Sequence, residues 1–166
     1  DVLMSLAVGA TVIEGAELNP SMLPIVRRYR HLAGPVYDYA NVDVRVEEGR
    51  SYVRRSQRRY DLIYMALTKT ATTASSSLAL VESYVHTVEG FQDYLRHLTE
   101  NGQVAVVCQH PLVLVRLMLT AYEALVREGV PIVRETFGAS LQAAQAALVA
   151  LGEHPYLARQ AVEQFR

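Results

Sequence analysis

The sequence predicts a doubly wound α/β domain built on a parallel sheet, and three observations carry that expectation. Short apolar, β-branched runs alternate with segments of helical period through most of the chain. Glycine, proline or Asn-Gly punctuation stands at the boundaries: Gly9, Asn19-Pro20, Gly34-Pro35, Gly49 and Asn101-Gly102. At 166 residues the chain fits one domain and is long enough to bury a core.

Residues 1–9 suit the end of a helix closed by Gly9, and TVIEGAEL (11–18) reads as a short strand. Asn19-Pro20 then signals the start of a helix, SMLPIVRRYRHLA, which Gly34 and Pro35 break. A Tyr- and Asn-containing loop leads to the strand VDVRVEE (42–48), ended by Gly49, and RSYVRRSQRR (50–59) reads as a short arginine-rich helix. YDLIYMAL (60–67) has the apolar character of a buried parallel strand. After the small-residue loop 68–77, apolar and aromatic residues at Tyr84, Val88, Phe91, Tyr94, Leu95 and Leu98 predict an amphipathic helix from about residue 80 to 98. Asn101-Gly102 is expected to turn the chain into the strand QVAVVCQ (103–109), and Pro111 to start a helix reaching about Glu128. PIVRETF offers a short strand, and 139–166 are alanine-rich and helical in pattern, interrupted around Gly152 to Pro155. The organisation expected is therefore an α/β domain over 1–137 followed by a helical tail over 138–166.

Composition narrows the function classes. Hydrophobic residues make up 51% and charged residues 20%, ordinary for a globular protein, and the net charge of −1 gives no global reason for nucleic acid or an acidic membrane surface as partner. The single cysteine, Cys108, excludes an intrachain disulfide and a cysteine-based zinc site, and an intracellular, cytoplasmic setting is expected. The most apolar run, PLVLVRLMLTAYEALV, is broken by Arg116 and Glu123 and falls short of a membrane span. The chain opens on Asp1 directly into a helical pattern, as a piece of something longer would.

In an open α/β sheet, ligands sit outside the carboxyl ends of the strands. That directs attention to Glu17, to Glu47-Glu48-Gly49, to Ala66 through Lys69, and to Gln109-His110. A carboxylate at such a strand end can accept both hydroxyls of a ribose, so Glu17 is either a nucleoside ligand or a solvated loop acid. The arginines 50, 54, 55, 58 and 59 read most simply as a solvated helix face, with Glu47 and Glu48 beside them and no interleaved stacking aromatics. The five histidines show no ligand spacing, so no metal is expected, and Ser75 to Ser77 lack a nucleophile elbow. His110 reads as a loop histidine and Cys108 as a core thiol. Tyr37 and Tyr39 either cover a pocket or pack.

Four segments in order, DVL at Asp1, GATVIEGAELNP at Gly9, EEGRSYVRRSQRRYDLIYMAL at Glu47 and ESYVHTVEGFQDYLRHLTENGQVAVV at Glu82, resemble the spermidine synthase family. The likeness is greater to that family's looser relatives among the class I S-adenosylmethionine-dependent transferases. It runs from Asp1 to about Gly129 and fades in the alanine-rich tail.

The resemblance implies a Rossmann-like sheet of the S-adenosylmethionine-dependent methyltransferase type. In that family a G-G-G-D-G-G loop precedes the segment matched by Asp1-Val2-Leu3, so the chain is expected to lack that loop and the sheet's first strand. Glu17 matches the acid that holds the cofactor ribose, and Glu48-Gly49 match the acid and following backbone beside the adenine. Tyr60-Asp61-Leu62-Ile63 match the start of the strand that carries the catalytic aspartate. Where the family continues with an Asp-Ser-Ser-Asp-type segment, this chain has Ala66 and Lys69, its only lysine. An alanine accepts no proton and an ammonium repels a diammonium substrate, so aminopropyl transfer is not expected.

Two functions follow as expectations. The first is an S-adenosylmethionine-binding transferase-like domain, with methyl transfer favoured, no catalytic base nominated, and weak or absent cofactor binding by this length of chain. The second is a non-catalytic assembly module of a larger, membrane-linked protein. Unpaired apolar strand edges and the small-residue tail predict a homodimer or higher oligomer, with no nucleic acid partner and no membrane contact from this segment.

Overall fold

The computed structural model describes residues 1–66, 84–107 and 111–130. The chain divides into two compact units, Asp1–Gln57 and Arg58–Arg166, each with its own parallel strand pair.

The first unit begins with α1 (Val2–Ala7). Gly9, at φ +81°, closes it in a left-handed conformation that side-chain-bearing residues avoid. The Gly9 N–H donates to the Leu6 carbonyl and the Ala10 N–H to the Ser5 carbonyl, both at 3.0 Å, which is the Schellman arrangement that satisfies the last carbonyls of a helix. β1 (Ile13–Glu17) follows and pairs in parallel with β2 (Val42–Val46), in register from Ile13 opposite Val42 to Glu17 opposite Val46. The pair is anchored at its start by Asn41, whose side-chain amide donates to the Ala10 carbonyl at 3.0 Å and whose carbonyl accepts from the Ile13 N–H at 2.8 Å.

Between these strands the expected single helix over 21–33 is two: α2 (Met22–Arg28) and α3 (Arg30–Ala33). Asn19 starts the segment as expected, accepting at its side-chain oxygen from the Ser21 N–H and at its carbonyl from the Met22 N–H. At Tyr29 (φ −96°, ψ 21°) the backbone tightens, and its carbonyl accepts from the Leu32 N–H, three residues on, as well as from Ala33. Gly34 (φ +77°) ends α3. α4 (Gly49–Arg55) packs on β1. It stops short of the predicted 50–59: Ser56 is extended, and Arg58 and Arg59, good helix formers in isolation, lie on the approach to the next strand. Ile13, Leu23 and Val36 form the buried apolar part of this unit, and Arg50 is buried with them.

In the second unit β3 (Tyr60–Ala66) and β4 (Leu98–Val107) pair in parallel. The register is interrupted. Tyr60 lies opposite Leu98, yet Leu62 lies opposite Gln103, so β4 makes an excursion over 99–102 before the ladder resumes through Ala66 opposite Val107. Asn101-Gly102, expected to turn the chain into a strand, instead lies inside that excursion. A Cβ on Gly102 would sit 2.6 Å from the Tyr60 carbonyl oxygen and 2.9 Å from the Thr99 nitrogen, contacts that only glycine avoids.

α5 (Val88–Arg96) covers only part of the helix expected over about 80–98, of which 80–83 lie outside the described residues. Thr87 caps it, its hydroxyl accepting from the Gly90 N–H at 3.0 Å. Leu98 joins the strand instead, because the helix ends at His97, whose Nδ1 lies 2.7 Å from the Asp93 carbonyl. Phe91 and Tyr94 meet edge to face with centroids 5.9 Å apart, and the Tyr94 hydroxyl donates to the Val85 carbonyl. α6 (Pro111–Arg127) packs on α5, contributing the buried Val115, Leu117 and Ala124. Its end repeats the Schellman closure: Gly129 (φ +68°) donates to Val126 and Val130 to Leu125. The two helices are clipped together by Glu128, which accepts from Gln92 at 2.7 Å and from two nitrogens of Arg96 at 2.7 and 3.1 Å.

These units make the chain a mixed α/β protein with parallel strand pairs. The expected strand 131–137 and the tail 138–166 lie outside the described residues. Among the described residues no helix is long and apolar enough to cross a membrane.

Candidate functional site

The carboxyl edge of the β1–β2 pair gathers the acids of the first unit. Parallel register brings both strand ends to one side, and the ladder continues one step beyond the strands, with the Glu47 N–H donating to the Glu17 carbonyl at 3.0 Å. Glu17, Glu47 and Glu48 therefore arrive at the same edge, each half-buried.

Their carboxylates are used differently. One Glu17 oxygen accepts from the Asn19 N–H at 2.8 Å, which shapes the turn into α2. Among the described residues no other donor reaches the Glu17 carboxylate and no cation pairs with it. Glu47 forms an ion pair with Arg55 at the far end of α4. Glu48 is the N-cap of α4: Oε1 accepts from the Arg50 N–H at 2.8 Å, and Oε2 accepts from the Ser51 N–H at 2.8 Å and the Ser51 hydroxyl at 2.7 Å. These bonds satisfy backbone donors that a helix start leaves orphaned.

Gly49 is the first residue of α4, and a Cβ built there meets nothing within 4 Å among the described residues. Packing among the described residues does not explain the glycine. Tyr37 is half-buried and Tyr39 exposed in the same unit. On the sheet itself, Glu14 of β1 stands opposite Asp43 of β2, and Arg45 bonds to Asp43 through Nε and a terminal nitrogen at 2.9 and 2.6 Å. This contact holds the Arg45 guanidinium above its ordinary pKa. Tyr52 of α4 bonds to Glu14, and burial first, then the Glu14 charge, pushes its phenol up, with Arg45 opposing.

The arginine cluster departs from the expected solvated face in one respect. Arg50 is buried, whereas Arg54, Arg55, Arg58 and Arg59 are exposed, and Arg59 donates to the Leu98 carbonyl at 3.0 Å. In the second unit Asp61 accepts from the Thr99 hydroxyl at 2.8 Å, Ile63 is buried, and Ala66 closes β3 opposite Val107. Lys69, Ser75 to Ser77, Cys108, Gln109 and His110 lie outside the described residues. No group of three or more His, Cys, Asp or Glu among the described residues is arranged to hold a metal.

The sequence puts Glu17 and Glu48-Gly49 at strand ends, where the structure has them, but does not reveal the capping role of Glu48. Its signal was local: an acid directly before Gly-Arg-Ser and a helical run. The Glu128 clip carried no such signal, because its partners Gln92 and Arg96 come from a different helix. Comparison with protein-family models, with curated proteins and with solved structures returns no match.

Proposed function

We propose that the β1–β2 edge binds the adenosine part of S-adenosylmethionine in a Rossmann-like, transferase-like domain related to the spermidine synthases. The observation that carries this reading is the convergence of Glu17 and Glu48-Gly49 at one carboxyl edge, with Glu17 keeping an oxygen unused by the described residues. A carboxylate so placed accepts a hydrogen bond from each hydroxyl of a ribose diol. Glu48 is committed to the start of α4, so its part is to hold the 48–49 backbone in place for the adenine rather than to grip the base with its carboxylate. The space at Gly49, open among the described residues, suits close approach of a flat ring. Ala66 offers no base, which favours methyl transfer, where positioning an already electrophilic group supplies much of the rate.

The test is an amide-detected NMR titration with S-adenosylmethionine carried to millimolar concentration. Shifts confined to Glu17–Asn19 and Glu47–Ser51 are expected, weakened by about 1–3 kcal/mol in Glu17→Ala, the scale of a hydrogen bond to a charged group. Unmoved resonances in both stretches would refute the reading.

A second reading, an assembly module, is favoured by the exposed apolar side chains on the strands, Val46 on β2, Leu62 on β3 and Val107 on β4. Strands with such faces invite a covering partner. Light scattering decides this one, since a monomer at tens of micromolar would remove it.

A further inference from the structure

The α2–α3 segment carries an exposed apolar stripe that the nucleoside reading does not use. Met22, Ile25 and Tyr29 recur at spacings of three and four, which places them within roughly 60° of arc at 100° per residue, and Leu32 follows in α3. All four are open to solvent, at 37%, 46%, 47% and 77% exposure, while Leu23 is buried and Val26 half-buried. The Tyr29 N–H still donates to Ile25 in the α2 ladder, and the Leu32 N–H donates to Tyr29 across the tightened turn.

The charges beside it have one sign. Residues 22–33 contain Arg27, Arg28, Arg30 and His31 and no acid. Among the described residues Arg27 and Arg30 pair with Asp38, at 3.9 and 3.8 Å, with both arginine side chains mostly exposed. Arg28 lies over the Tyr29 ring at 5.9 Å, leaving its guanidinium at the border of the stripe.

We propose that this face docks on an anionic lipid bilayer. Exposed apolar side chains flanked by arginines suit shallow insertion among acyl chains. Arginines bury their stems and keep their heads among lipid phosphates, and a tyrosine favours the headgroup level. A second copy of the chain is a poorer occupant: a two-fold contact sets the same patch against itself and so arginine against arginine. The whole-chain charge of −1 averages this local excess away, which is why composition pointed away from a membrane surface.

The test is co-sedimentation of the full chain with phosphatidylcholine vesicles, with and without phosphatidylserine, at low and high salt. Arg28→Glu and Leu32→Ser change exposed residues, and circular dichroism verifies that both remain folded. Binding only to the phosphatidylserine vesicles is expected, lost at high salt, roughly thirtyfold weaker for Arg28→Glu, which changes the local charge by two, and reduced by Leu32→Ser. Absence of binding at low salt, equal binding to both vesicle types, or unchanged binding by both variants overturns the proposal. So does a wild-type oligomer that Leu32→Ser dissociates while vesicles stay unbound, or retention of soluble polyglutamate in place of vesicles; these outcomes assign the face to a second copy or to an acidic protein.

Discussion

Replacing Glu48 by alanine removes the acceptor for two backbone N–H groups at the start of α4 and for the Ser51 hydroxyl, at 2.8, 2.8 and 2.7 Å. The cost depends on what those donors meet afterwards. Arg50 is buried, but Ser51 is only half-buried, so water can take over part of the lost bonding. The loss of a helix N-cap is the fitting scale, about 1–2 kcal/mol. At a urea slope of about 2 kcal/mol per M this lowers the unfolding midpoint by roughly 0.5–1 M, readable by far-ultraviolet circular dichroism. Glu48→Asp keeps a carboxylate in a residue type that caps well and should recover most of the loss. The pair also separates capping from ligand contact: if Glu48 acts on adenine by holding the 48–49 backbone, the aspartate variant keeps the nucleoside-induced NMR shifts. An alanine variant within about 0.5 kcal/mol of wild type, the range of an ordinary surface substitution, would refute the capping account.

Three further outcomes are expected. Gly102→Ala should destabilise by about 2–3 kcal/mol, because its Cβ meets the backbone of Tyr60 and Thr99, whereas Gly49→Ala, with nothing to strike, should be neutral or stabilising by up to about 1 kcal/mol; urea unfolding of the two compares them directly. The hydrogen bond from Arg96 holds the Glu128 carboxyl below the usual carboxylate range. Its stabilisation is therefore fully present above that range and lost as pH falls through the depressed value, and Glu128→Gln should flatten the acid limb of a melting-temperature profile. On the proposed relation to the spermidine synthases, in which Ala66 stands in place of the base, incubation with decarboxylated cofactor and a diamine should yield no polyamine above a no-enzyme control by mass spectrometry.

The parallel pairing was legible because each strand is a compact apolar run and a helical pattern separates its successor from it, leaving little room for a hairpin. Gly9 announced its own closure, since a glycine just past a helical run has one common use. What stayed hidden was decided by tertiary demands on residues of ambiguous preference. Leu98 continues the helical spacing from Leu95, yet pairing with Tyr60 places it in a strand. Arg58 and Arg59 favour helix, yet the chain must be extended to enter β3. At the candidate site the acids could be found from strand ends alone, but their division of labour could not. Glu17 and Glu48 look alike in sequence, and only the donors around them show that, among the described residues, one keeps an oxygen open while the other has both engaged.

The excursion in β4 also says which changes in chain length this unit can absorb. Side chains along a strand alternate with a period of two, so a slip by one residue would exchange the faces of Val104 and Ala105. The close approach of Gly102 to the Tyr60 carbonyl sets where the ladder restarts, and it does so through backbone alone. Thr99 is held by Asp61, but the exposed residues 100 and 101 lie outside the regular pairing, so one more or one fewer there lengthens or shortens a bulge and leaves Leu62 through Ala66 matched to the same partners. The same insertion between Gln103 and Val107 would throw every later pair out of step. The sheet thus has a built-in slack segment, and indels in this part of the gene should be tolerated on one side of Gly102 and not on the other.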